Sequence, residues 1–141
     1  MPARSAVSAT ARAKPVDEKV TINIGYVDLG QIDLLVQDGF YANRTDLIRT
    51  AIRNQLAVHA DEVKHAVARK ALVLGIQHFS AADLRALRKA KQTLQVRVLG
   101  LATIASDVTP ELALATIESI AVLGALHASP AVKAALATRM R

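Results

Sequence analysis

The chain has 141 residues and a formal net charge of +6, with 52% hydrophobic residues, 3% aromatic residues and no cysteine. That is room for one ordinary domain or two small ones around a core of Ala, Leu, Ile and Val, and it excludes disulfide frameworks and thiolate metal sites. Too few aromatics are present for the stacking platforms that bind single-stranded nucleic acid, and no apolar run reaches the roughly 20 residues that span a membrane.

A positive balance favours polyanionic partners, but residues 20–60 contain three bases against four acids, so residue pattern has to carry the argument. Residues 1–17 read as a disordered basic tail of Ala, Ser and Arg with two prolines and no apolar period. Its Arg4, Arg12 and Lys14 suit an arm that touches phosphates. With no signal-peptide run and no cysteine, the expected setting is the cytoplasm, associated with the nucleoid.

From Lys19 to Tyr26 the period is two. Val20, Ile22, Ile24 and Tyr26 alternate with Lys19, Thr21, Asn23 and Gly25, which predicts a strand with one buried face. The period then changes. Leu29, Ile32, Leu35 and Val36 share one face of a short helix over about Asp28–Gln37. Asp38-Gly39 supplies a turn. Asn43 stands where an N-cap belongs, and Asp46 in the first turn favours the positive end of the helix dipole. Leu47, Ile48, Ala51, Ile52 and Leu56 make the stripe of a second, longer helix, which the pattern allows to run on toward Ala68. One strand and two helices are too small to fold alone, and a lone strand leaves its backbone donors and acceptors unpaired. Pairing the strand antiparallel with a second copy resolves both problems, so a homodimer is expected.

The stretches K-V-T-I-N-I, Q-I-D-L-L and D-G-F-Y-A-N-R-T-D-L-I-R-T-A-I-R-N-Q-L resemble the CopG-type ribbon-helix-helix family over about residues 19–58. Ile32-Asp33, Asn43-Arg44-Thr45-Asp46 and Leu47-Ile48-Arg49-Thr50-Ala51-Ile52 fit its pattern, while Gly25 stands where proline is common and Asn23 where arginine or lysine is frequent. The resemblance implies a ribbon entering the major groove of double-stranded DNA, with Lys19, Thr21 and Asn23 facing bases. It also implies that the start of the second helix, at Asn43, Arg44 and Thr45, meets phosphate. Arg49 and Arg53 read as a solvated face.

Beyond Val58 one tripeptide recurs, at Val73-Leu74-Gly75, Val98-Leu99-Gly100 and Val122-Leu123-Gly124. A helix start follows each: Ser80-Ala81-Ala82-Asp83 resembles a capping box, and Thr109-Pro110 and Ser129-Pro130 place a hydroxyl before a proline. Apolar helical residues follow, Leu84 and Leu87, then Leu112 and Leu114, then Val132, Ala135 and Leu136. This predicts about three strand–turn–helix repeats, a small solenoid-like β/α sheet of parallel strands whose outer edges invite a higher oligomer. Arg85, Arg88, Lys89, Lys91 and Arg97 form the densest basic cluster and read as a solvated helix face. His78 and His127 share one place in their repeats, but without cysteine or a helical ligand spacing no metal is expected.

The expected class is therefore α+β: a tail over 1–17, a ribbon-helix-helix dimer module over 18–58 and a repeat or oligomerisation domain over 59–141. No nucleophile motif, phosphate loop or framed carboxylate pair is present, so neither catalysis nor a cofactor is expected. The leading function is a sequence-specific transcriptional regulator, a repressor. The alternatives are a DNA-tethered assembly protein and the antitoxin of a toxin–antitoxin pair.

Overall fold

A computed structural model describes residues 17–141; the expected basic tail lies outside the described residues except for Asp17. Among the described residues, six α-helices and one three-stranded parallel sheet make a mixed helix-and-strand molecule. The chain divides into two compact units between Gln55 and Leu56.

The first unit holds α1 (Tyr26–Gln37) and most of α2 (Arg44–Val58). The turn between them forms as its residues dictate. Gly39 takes φ +86, the Phe40 N–H donates to the Leu35 carbonyl at 3.0 Å, and the Gly39 N–H donates to that of Val36 at 3.1 Å. These two bonds satisfy carbonyls that the end of a helix leaves open.

In the second unit α2 does not run on without a break. His59 leaves helical geometry (φ −102, ψ 17), and its N–H reaches the carbonyl three residues back, on Leu56. A separate helix, α3 (Ala60–Arg69), follows. Its Ala60, Val63 and Val67 share a groove with Leu74 and Leu99. Then come β1 (Val73–Phe79), α4 (Ala81–Lys89), β2 (Leu94–Ile104), α5 (Pro110–Thr116), β3 (Ile117–His127) and α6 (Pro130–Leu136), closed by a 3₁₀ turn over Ala137–Arg139.

The strands lie in chain order, all parallel. The three tripeptides are in register: Val73, Val98 and Val122 form one row, Leu74, Leu99 and Leu123 the next, and Gly75, Gly100 and Gly124 the third. The expected caps form as well. Ser80 Oγ accepts from the Asp83 N–H at 3.1 Å while Asp83 accepts from Ser80. Thr109 and Ser129 cap α5 and α6 through Leu112 and Val132, each with proline at the first helical position.

One face of the sheet carries the core. Val96, Val98, Ala102, Ile104, Ile117 and Ile120 from the strands meet Leu84, Leu112, Val132 and Leu136 from the helices, all buried. The buried Thr116 hydroxyl donates to the Leu112 carbonyl at 2.8 Å, so its burial leaves no unmet donor. Arg139 donates to the carbonyls of Leu114 and Ile117, tying the last turn of the chain to the end of α5.

Candidate nucleic-acid interface

The segment from Lys19 to Gly25 forms neither helix nor strand within one chain. Val20 and Ile22 are 80% and 72% exposed, and Lys19, Thr21 and Asn23, which alternate with the apolar positions, are exposed too. Tyr26 corrects the expectation at the end of this segment. It opens α1 instead of closing a strand, and it is 94% exposed. The reason is local: Gly25 is extended (φ −68, ψ 154), and its carbonyl already accepts the first helical bond, from Leu29 at 3.0 Å.

The two helices that follow bury no side chain. Leu29, Ile32, Val36 and Leu47 are half-buried, whereas Leu34, Leu35, Ile48 and Ile52 stay exposed. Apolar stripes of this kind are built to be covered. One copy of the unit therefore supplies the apolar surface for a core without the second layer that would close it.

The start of α2 is held firmly. Asn43 Oδ1 accepts from the Asp46 N–H at 2.8 Å, which is the N-cap its position predicts. Asp46 returns the favour by accepting from the Ala42 N–H at 3.0 Å. Asn43, Arg44 and Thr45 are all exposed on this end. Arg44 is also engaged within the unit. Its Nε and Nη2 donate to the two carboxylate oxygens of Asp33, at 2.7 and 2.8 Å. This fork uses two of the five guanidinium donors and leaves three for other partners. The hydrogen bond from Arg44, helped by its charge, holds the Asp33 carboxyl below its ordinary range, and the pairing raises Arg44 in turn.

Residue pattern alone did not reveal this tie. The signal was an acid in α1, Asp33, and a base at the first turn of α2, Arg44, eleven residues apart. Arg49 and Arg53, expected as a solvated face, line a shallow surface cleft with Asp17, Glu18 and Ile52.

The second unit contributes no such constellation. His78 shares a hydrogen bond of 2.5 Å with Thr103 Oγ1, its neighbour in register on β2. Among the described residues no group of three or more His, Cys, Asp or Glu gathers as a metal site, and no helix is long and apolar enough to cross a membrane. Arg97, part of the expected basic cluster, donates to Gln95 at 2.9 Å and to the Lys70 carbonyl at 3.3 Å.

No characterised protein and no solved structure matches the chain. A family pattern does match, over residues 15–133, and it is that of the ribbon-helix-helix transcriptional regulators. The match takes in both units, where the sequence motifs alone pointed only to residues 19–58. Family membership and the unpaired, alternating segment before two helices agree: the chain belongs to the ribbon-helix-helix transcriptional regulator family, whose members bind DNA, usually as dimers.

Proposed function

We propose that residues 18–58 of two copies form a CopG-type module that reads DNA sequence in the major groove and acts as a repressor. The observation that carries this reading is the segment from Lys19 to Ile24, which is unpaired within one chain and open on both faces. A second copy laid antiparallel against it satisfies its backbone. Val20, Ile22 and Ile24 then turn toward the exposed stripes of α1 and α2. Lys19, Thr21 and Asn23 turn outward, doubled by the twofold axis.

A two-stranded ribbon fits the major groove, whose edges distinguish all four base pairs. Asn23 suits adenine, bonding N6 and N7 together. Thr21 suits a base edge or the methyl of thymine, and Lys19 reaches guanine or phosphate. Each α2 start presents free backbone N–H groups near Asn43, Arg44 and Thr45 to a phosphate, aided by the helix dipole. Within this reading the Asp33 fork positions Arg44 while its remaining donors face the DNA backbone.

The C-terminal unit fits a solenoid-like stack of strand–helix repeats, supported by the in-register tripeptides and their following caps. As a domain over 59–141 it suits oligomerisation. The module reading is tested by selecting bound sequences from random DNA. A twofold-symmetric site with fixed half-site spacing is the expected result. Recovery of no common sequence would favour a DNA-tethered assembly protein instead.

A further inference from the structure

We propose that the outer edge of β1 accepts the outer edge of β3 from a second copy of this chain, parallel and in the register that already joins the three strands. The inference rests on the repeat reading of the C-terminal unit and is independent of how the N-terminal module meets DNA.

The glycine row carries the argument. Gly75, Gly100 and Gly124 share positive φ values of 123, 140 and 123, a conformation that other residues rarely adopt. At Gly100 a side chain would overlap the Gly75 carbonyl, and at Gly124 it would overlap that of Gly100. Each of these glycines makes room for the glycine carbonyl of the preceding strand. Gly75 has the same conformation with nothing in that space. By the same geometry, the Gly124 carbonyl is presented on the outer side of β3 with no glycine beside it. The edge of β1 has the vacancy and the edge of β3 has the group that fills it.

The apolar rows point the same way. On the sheet face away from α4, α5 and α6, Leu74 is 68% exposed, Ile76 67% and Leu123 53%, while Leu99 and Leu101 on the middle strand are half-buried. Docking the two edges places Leu123 beside Leu74 and Ala125 beside Ile76, repeating the pairings within the sheet. Part of the β3 edge is already taken, at Ile120. Met140 bridges Ile120, and the Arg141 N–H donates to the Ile120 carbonyl at 2.9 Å. Carried across the junction, the register sets Val73 against Val122, so β1 meets the stretch that follows Ile120. A contact between two different surfaces does not close on itself at a pair, so it extends the sheet chain by chain.

The absence of cysteine allows a clean test on the full chain. In-register neighbours on parallel strands lie within the roughly 4.4–6.8 Å between Cα atoms that a disulfide tolerates, so Leu74→Cys with Leu123→Cys should form a ladder of covalent multimers under mild oxidation. Neither single variant should do so. A dimer cross-linked through Leu74→Cys alone would mean β1 pairs with β1, and it would overturn the proposal. So would a double variant that does not cross-link, together with unmodified protein that sediments at one mass at every concentration. The Asn23→Ala variant should keep the ladder when Leu74→Cys and Leu123→Cys are added, so failure of DNA reading and failure of edge docking are separately visible.

Discussion

Adding a methyl at Gly100 meets two obstacles at once, an unfavourable φ and the Gly75 carbonyl. Gly100→Ala should therefore destabilise the C-terminal unit by at least about 2 kcal/mol in urea unfolding. Gly75→Ala has the same backbone and open space within one chain, so in protein dilute enough to be unassembled it should cost clearly less; equal costs there would mean that sterics between the strands are not the reason for the row. At the DNA end, Asn23→Ala should lose about 1–3 kcal/mol of discrimination at one base position per half-site. Binding indistinguishable from wild type in both Asn23→Ala and Thr21→Ala would remove these residues from the reading face. Asp33 makes a pH statement. Its folded-state carboxyl titrates below the ordinary 3.8, so the tie to Arg44 contributes stability above that value and loses it as pH falls further toward the lowered value. Acid titration of the helical signal from the N-terminal unit should show this step, and Asp33→Asn should abolish it.

Helix ends show which parts of the elements were legible in the residues and which were not. Gly39, Asn43, Ser80, Thr109 and Ser129 are residues whose chemistry suits one terminal position, and each occupies it. The tripeptides were legible because they recur at near-constant spacing, at Val73, Val98 and Val122, each ahead of a helix start. Their surrounding strands were not fully so, since β2 and β3 reach well beyond the triplets and only burial against the helices defines those ends. Two other helix ends gave no signal. Ala71 and Lys91 sit at φ 53 and 57, where Gly is the usual occupant, and each closes its helix with the same pair of backbone bonds as Gly39. Replacing either by Gly should relieve left-handed strain worth about 1–2 kcal/mol, offset in part by the freer unfolded chain. A net gain in melting temperature for Ala71→Gly and Lys91→Gly is the expected outcome, and a loss at both would show that the strain is absorbed elsewhere. The alternation over Lys19–Ile24 was legible, yet the segment is no strand in one chain; under the proposed ribbon its ladder would come from a second copy, which a single sequence does not contain.

The two units differ in what completes them. The C-terminal unit buries thirteen apolar residues within one chain, whereas α1 and α2 bury none. Folding of the N-terminal unit should therefore be coupled to association, and its stability set by protomer concentration, while the C-terminal core needs no such help. Hydrogen exchange measures the two separately, because local opening reports on each element by itself. Amides of α1 and the first turns of α2 should exchange faster as the protein is diluted, and slow again when selected DNA is added. DNA at a hundred times its dissociation constant stabilises the bound form by about 2.7 kcal/mol, enough to slow exchange roughly a hundredfold if it occurs by opening to the unbound state. Amides at Val96, Val98 and Ala102, in the middle strand and against the helices, should stay protected throughout. Protection of α1 in protein dilute enough to be monomeric would show that the exposed stripes do not need a second copy. The twofold ribbon would then lose its physical cause.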